Sequence, residues 1–449
     1  MSDLFAIRVA SSPDSEVLFG MNINGVPNEG QSILRIPAQK DPQWKVVEAT
    51  FMELPQHTHT YEVLLSKAKQ YWGAHMGLNE KGVCIGVTAT RTKVKLPATD
   101  SGLTAYDLLR LALERSDSAK AAVKEITELS QQFGVNPLMH FAGKQERSSF
   151  SFLITDRKHI YVLEFVGAEW AYQEIKADVA VLSGEMVLEE DLHGQSEGLK
   201  QWALDKRWYK EDKPFNFHQV FGKAGVLSKH KKGKRQLLIE KALDNLQGDY
   251  TVKGLMELLS SHKKVGKKFK PSSSTDKDLC KHANKNTPWQ TNNSVVVNIR
   301  QKVEDNVCWF TGTSTPSMSL YKPFFIPGDN IYEGLFKEAT LLKNDSLWWR
   351  HESFQRLVSL NFKRNRPGFE QERVEIQERL LQTEELFRIE KADSYMRNKL
   401  SEDSLKIHMK KILEWEFEIK KHYRSLGQFT PVYKGYVKQL NQEVTAAIE

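Results

Sequence analysis

The side chains that could do chemistry stand in a few small groups. His57 and His59 form a His-x-His pair, Cys280 and His282 form a Cys-x-His pair, and Cys84 sits alone in an apolar run. Histidines two positions apart on a strand point the same way and offer two metal donors. No third ligand follows at a convincing spacing, so His57 and His59 read as the outer face of a surface strand. Cys280 and His282 read as structural, and Cys84 as a packed core thiol. Gly73, Gly77, Gly82 and Gly86 recur inside a hairpin-like block, not between a strand and a helix, which is the wrong context for a phosphate-cradling loop. None of these residues calls for a metal or a cofactor. Two basic runs carry part of the net charge of +7: Lys229, Lys231, Lys232, Lys234 and Arg235, then Lys263, Lys264, Lys267, Lys268 and Lys270. Basic runs attract nucleic acid or anionic surfaces. Here only Phe269 is interleaved, so an aromatic stacking platform is lacking. Solvated surface loops are the plainer reading, and nucleic acid is not the favoured partner. Trp348 and Trp349, next to Arg350, read as anchors of a helical tail.

The elements that must position these residues are blocks of strands and helices. The chain has 449 residues, of which 40% are hydrophobic and 27% charged, which excludes a disordered or collagen-like chain. No apolar run reaches the roughly 18 residues that span a bilayer. Met1 to Arg8 lacks the basic-then-apolar pattern of a secretory leader. The three cysteines form no CxxC pair, so a reducing, cytoplasmic setting is expected. Leu4, Ala6 and Val9 mark a first strand that begins almost at residue 2, and Val17 to Ile23 a second, with turn formers from Ser11 to Ser15 between them. Two helices are predicted over 106–133. The first has an apolar face of Leu108, Leu109, Ala112 and Leu113. The second is capped by Ser116 or Asp117 and stopped by Gly134. Phe150, Phe152 and Ile154 alternate, turn at Asp156-Arg157-Lys158, and return from Ile160 to Phe165. Val179 to Ser183, Ser294 to Ile299 and Val307 to Thr311 read as further strand-like segments, and Tyr321 to Pro327 ends that section. From about residue 330 the texture becomes helical and charged: Leu405, Ile412 and Ile419 recur every seventh residue beside His408, Trp415 and His422. Strands and helices in blocks predict an α+β layered domain over 1–330, followed by a charged helical extension over 331–449.

Four ordered blocks resemble the secernins, a dipeptidase-like branch of the N-terminal-nucleophile (Ntn) hydrolases. They are Trp72 to Gly86; Asp107 to Arg115; the hairpin with Phe152 to Arg157, Val162 to Glu164 and Glu169 to Ala171; and Phe310 to Thr313 with Pro316, Ser317 and Lys322 to Phe324. The resemblance implies an αββα four-layer sandwich that hydrolyses amide bonds in dipeptides or other small amides. It implies a homo-oligomer, while the residues themselves give no reason to expect membrane insertion or a cofactor. Its nucleophile is the first residue of the mature chain, which here is Ser2 once Met1 is removed. The base is that residue's own α-amine, whose ordinary pKa near 8 suits proton transfer at neutral pH.

The sequence departs from that family at the positions that support the chemistry. The usual opening Cys-Asp-x-Phe reads Ser2, Asp3, Leu4, Phe5. The usual Gly-Lys-Asn-Ser-Asp-Arg reads Gly20 to Gly25, with Asn24 in place of Asp and Gly25 in place of Arg. Val87 stands where an oxyanion-hole Asn is expected, and Gly184 where a second Asn is expected. The leading reading is therefore a divergent member, with weakened or lost dipeptidase activity, that binds a small molecule or a protein. The alternative is an active C–N hydrolase in which Ser2 is helped by Asp3, Asn22, Asn24 and Thr88 or Thr90. The third is a basic patch for nucleic acid or anionic surfaces.

Overall fold

Alternation of inward apolar and polar residues decides which way each strand of this protein faces. The computed structural model describes residues 1–9, 16–140, 146–223, 233–263, 269–328, 337–421 and 431–444. The predicted turn at Ser11 to Ser15, the lysines at 229, 231, 232, 264, 267 and 268, and His422 lie outside the described residues. The chain forms two compact units, Met1–Phe19 with Leu34–Tyr250 and Ile299–Val303, and Gly20–Ile33 with Thr251–Asn298 and Glu304–Glu449. The strands after residue 304 group with the C-terminal helices.

The first unit contains strands β1 (Asp3–Val9), β2 (Glu16–Gly25, up to Phe19), β3 (Gln31–Ile36, from Leu34), β4 (Val63–Ala68), β5 (Met76–Asn79) and β6 (Cys84–Thr90). Helices α1 (Ala105–Arg115) and α2 (Ala119–Phe133) follow. After them come β7 (Ser149–Thr155), β8 (Ile160–Val166), β9 (Glu169–Glu174), β10 (Val179–Leu182), β11 (Gly194–Gln195) and α3 (Lys234–Asp244). One sheet runs β11-β9-β8-β7-β6-β5-β4-β3. Its Ile85, Val87, Ala89, Phe150, Phe152, Ile154, Leu163 and Phe165 form one buried core with Leu108, Leu109, Ala112 and Ile126 of the two helices. Period-2 alternation then turns Thr88, Thr90, Ser151 and Glu164 to the opposite face, over which β1 packs. β1 lies between β10 and β2, with Leu4 opposite Leu182 and Ile7 opposite Val179. α3 packs against β10. Helices, sheet, sheet and helix make the α+β sandwich that the blocks predicted.

α1 shows why sequence signals place an element and how strongly they hold it. Thr104 caps it, and Asp107 completes a capping box. The Asp107 carboxylate is buried, and it also accepts from Thr50 Oγ1 at 2.6 Å and Gly73 N at 3.2 Å, with Thr104 N at 3.0 Å and Thr104 Oγ1 at 2.8 Å on its other oxygen. Asp107→Ala strands these donors and is expected to lower stability by about 2 kcal/mol. A reduced urea midpoint at unchanged slope is the check. α2 is capped by Ser118, not by Ser116 or Asp117, because Ser116 ends α1. Gly134 stops α2 with φ of 75°.

The second unit contains α4 (Val252–Leu259), β12 (Gln290–Ile299, up to Asn298), β13 (Val307–Phe310), β14 (Lys322–Phe325), α5 (Leu347–Leu360), α6 (Pro367–Ile389), α7 (Ser394–Lys421) and α8 (Pro431–Glu443). β12, β13 and β14 pair antiparallel, Val297 opposite Cys308 and Cys308 opposite Phe324. α7 lies against β14, α5 and α6. Its buried face carries Leu405, His408, Ile412 and Trp415, and Ile419 is half-buried. Trp348 Nε1 donates to Asn292 O at 2.9 Å, and Trp349 Nε1 donates to Thr340 O at 2.9 Å, so both indoles are core anchors.

Candidate active site

Ser2 stands one residue before β1 and is buried at 5% exposure. Its backbone N–H donates to Thr88 Oγ1 at 3.0 Å, and the same hydroxyl donates to Ser2 O at 3.0 Å. A single β6 side chain thus pins both polar groups of the Ser2 backbone. Asp3 points the other way, as alternation requires. Its carboxylate takes a bidentate pair from Arg235 of α3, Nε to Oδ1 at 2.9 Å and Nη2 to Oδ2 at 2.7 Å. The residues on each side of the Ser2–Asp3 peptide are therefore fixed from opposite layers.

A row of polar side chains continues beneath. Thr88 faces Ser151 across the β6–β7 ladder, and Ser151 faces Glu164 across β7–β8. Thr90 Oγ1 and Ser151 Oγ lie 2.7 Å apart, and Ser151 Oγ donates to Glu164 Oε1 at 3.0 Å. Glu164 also accepts from Val187 N at 3.0 Å and Leu188 N at 3.2 Å. Burial pushes the Glu164 carboxyl up to about 7, against those hydrogen bonds, which act to lower it.

Val87 and Gly184 belong to the same unit as Ser2. Val87 belongs to the core beneath α1 and α2. The oxyanion position read at Val87 therefore faces away from Ser2, and Thr88 is the residue of that strand that meets it. Continuing the register from Leu4 and Leu182 sets Gly184 beside Ser2. Gly184 has φ of 82°, and a Cβ there would fall 2.5 Å from Met1 Sδ. In the second unit, Asn22 Nδ2 donates to Leu259 O and Leu279 O, each at 2.9 Å, and its Oδ1 accepts from Ser294 Oγ at 2.6 Å. Asn24 Oδ1 accepts from Thr291 Oγ1 at 2.8 Å. Gly25 leaves room for Glu29: an added Cβ would lie 2.0 Å from its Oε2 and 2.7 Å from Asn292 Nδ2. These residues serve as joints of the second unit's own backbone.

Arg235, Ser151 and Glu164 carry no local mark of a site in the sequence. Arg235 reads there as part of a basic run, and Glu164 as part of a hairpin. His57 and His59 are exposed, with His57 Nδ1 3.1 Å from His59 O. Cys280 and His282 acquire a third neighbour, His262, in the second unit.

The first unit is thus a layered α+β sandwich with Ser2 buried at the head of its first strand. Residues 22–375 match peptidase family C69, and the chain belongs to that family. The matched span begins after Ser2. Among solved structures the chain is similar to a mutant of the conjugated bile acid hydrolase from Clostridium perfringens, at 15% identity and TM-score 0.44 over 74% of this chain and 94% of that one. It is similar to penicillin V acylase from Agrobacterium tumefaciens, at 10% identity and TM-score 0.41 over 72% and 86%. It is also similar to the Caenorhabditis elegans ortholog of N-acylethanolamine-hydrolyzing acid amidase, at 10% identity and TM-score 0.35 over 73% and 100%. Among the described residues, no helix is long and apolar enough to cross a membrane.

Proposed function

We propose that this protein is an amide-bond hydrolase of the N-terminal-nucleophile kind, acting on a small amide with Ser2 as nucleophile after Met1 is removed. The observation that carries the reading is the Thr88 hydroxyl bridging Ser2 N and Ser2 O. Once Met1 is gone, that nitrogen is a primary amine already held in place. In the reaction, Ser2 Oγ attacks the carbonyl carbon while the amine takes the hydroxyl proton. The amine returns that proton to the leaving nitrogen as the C–N bond breaks. Water then attacks the ester as its proton passes to the amine, the amine hands that proton to Ser2 Oγ as the C–O bond breaks, and the acid is released with Ser2 restored. Membership in family C69 supports amide cleavage as the reaction class.

Intact mass of the purified protein tests the first requirement. Loss of one methionine is expected, and complete retention of Met1 leaves no amine and ends the reading. Thr88→Val removes the bridge while keeping the side-chain volume. It is expected to lower kcat by about 10- to 100-fold, with KM little changed, because the amine loses its orientation. Equal kcat in the two proteins would remove Thr88 from the machinery.

A second reading, a binding protein of the same fold without turnover, is favoured by Met1 itself. Its side chain seats against Gly184 and packs on the apolar core. In that state Ser2 has no free amine, and a small amide or peptide ligand would be bound without turnover. Retained Met1 together with saturable ligand binding distinguishes this reading.

A further inference from the structure

The second unit gathers a group of metal-type donors that the amide-hydrolase reading does not use. His262 Nε2 and His282 Nε2 face each other at 3.1 Å, and Cys280 Sγ lies 3.6 Å from His282 Nε2. All three donor atoms lie within 4.8 Å of one another. Ser317 Oγ completes the corner, 3.4 Å from both Cys280 Sγ and His282 Nε2. A tetrahedral zinc with Zn–N near 2.05 Å and Zn–S near 2.3 Å has N···N edges of roughly 3.3 Å and N···S edges of roughly 3.6 Å. The His262–His282 and Cys280–His282 edges already have that spacing, and the His262–Cys280 edge, within 4.8 Å, needs only a small side-chain adjustment.

The elements around the group hold it in that shape. His262 follows α4, and the loop carrying Cys280 and His282 is fixed by Asp278, which accepts from Lys263 N at 2.8 Å, Thr275 N at 2.7 Å and Ser274 Oγ at 3.1 Å. Ser274 Oγ accepts in turn from His282 N at 3.1 Å. The His262 ring stacks on Phe269 with centroids 3.6 Å apart. Cys280 and His282 are fully buried. Burial holds both imidazoles far below their usual range, about 2 for His262 and about 3 for His282, so both stay neutral. A pair of neutral imidazoles with facing nitrogens shares at most one hydrogen, whereas a cation between them uses both lone pairs. Arg366, whose Nη2 is 3.5 Å from Ser317 O, sets a positive charge nearby. Burial pushes the Cys280 thiol up to about 11, so it keeps its proton until a metal takes that place, and the Asp278 carboxylate lies nearby.

We propose that His262, Cys280 and His282 form a site for zinc or another borderline divalent transition metal, with the fourth position taken by Ser317 Oγ or water. The two imidazoles and one thiolate suit zinc over magnesium or calcium, which prefer oxygen. Binding replaces the thiol proton, which is released to solvent, and joins the end of α4 to the loop before β12.

The test uses the untagged full-length protein with zinc and cobalt(II) as probes. After incubation with zinc and desalting, metal analysis is expected to give close to one zinc per chain. Cobalt(II) is expected to give the intense visible bands of a tetrahedral site together with a thiolate charge-transfer band. His262→Ala is expected to lower bound metal at least tenfold. Cys280→Ser is expected to abolish the charge-transfer band, while His57→Ala leaves both readouts unchanged. The wild-type titration decides the matter even if a variant fails to fold. Substoichiometric zinc in folded wild type, or only the pale octahedral cobalt spectrum, overturns the site. Full occupancy that survives in folded His262→Ala overturns this ligand set.

Discussion

Ser2→Ala is expected to yield a folded protein whose amide hydrolysis is lower by about three orders of magnitude or more, with the loss in kcat. The substitution keeps a small residue after Met1 and keeps the backbone nitrogen that Thr88 holds. It removes only the side-chain oxygen. Ser2 is buried at the head of β1, and trimming one oxygen there changes packing little, so a change of melting temperature beyond a few degrees is not expected. Ser2→Cys is the informative partner. A thiol ionises far more readily than a hydroxyl and depends less on its base. The cysteine variant is therefore expected to retain turnover, and to lose less of it than the serine enzyme when Thr88 becomes valine. Intact masses showing Met1 absent from all of these proteins must accompany the rates. If Ser2→Ala turns over amide substrate at the wild-type rate, the nucleophile is another residue and the reading of this site fails.

Layering was legible in the sequence because it rests on alternation and capping, which are local. The hairpin read from Phe150 to Phe165 is β7 and β8, and the two helices over 106–133 are α1 and α2. The alternation of β6 was legible as well, yet its consequence at the site was not. Whether Val87 or Thr88 faces Ser2 depends on which side of the sheet the helices cover, and a shift of one residue exchanges the two. Asn22, Asn24 and Gly25 show a different limit. Their types suit a polar site, but what they bind is decided by Leu259, Leu279, Thr291 and Asn292, more than 230 residues downstream. Arg235 is the same case reversed. Its place in a basic run said surface, while the fold turns it inward onto Asp3. His262 lies 20 residues from His282, too far for any local ligand spacing, and only the packing of α4 brings them together.

The pH dependence of stability should carry the signature of Glu164. Its carboxyl is raised in the folded protein from 4.5 to about 7, because burial disfavours the ionised form. The folded state therefore binds this proton more tightly than the unfolded chain does. Between about pH 4.5 and 7 the unfolded state has already released the proton and the folded state still holds it. Stability falls as pH rises through that window and is level in this contribution above it. The gap amounts to about 3 kcal/mol in wild type. Glu164→Gln cannot titrate, so the difference between the two proteins isolates the group even though other residues titrate in both. Urea denaturation at pH 5 and pH 8 is the measurement. Wild type is expected to lose about 2 to 3 kcal/mol more than the variant on going to the higher pH. Equal losses would mean that Glu164 is ionised across the whole range. Absolute stability is the wrong comparison, because an amide meets Ser151 correctly but sets an N–H donor against the backbone N–H of Val187 or Leu188. The same proton also reorients the row beside Ser2. An ionised Glu164 accepts from Ser151, and a protonated one donates to it, turning the Ser151 hydrogen toward Thr90, 2.7 Å away.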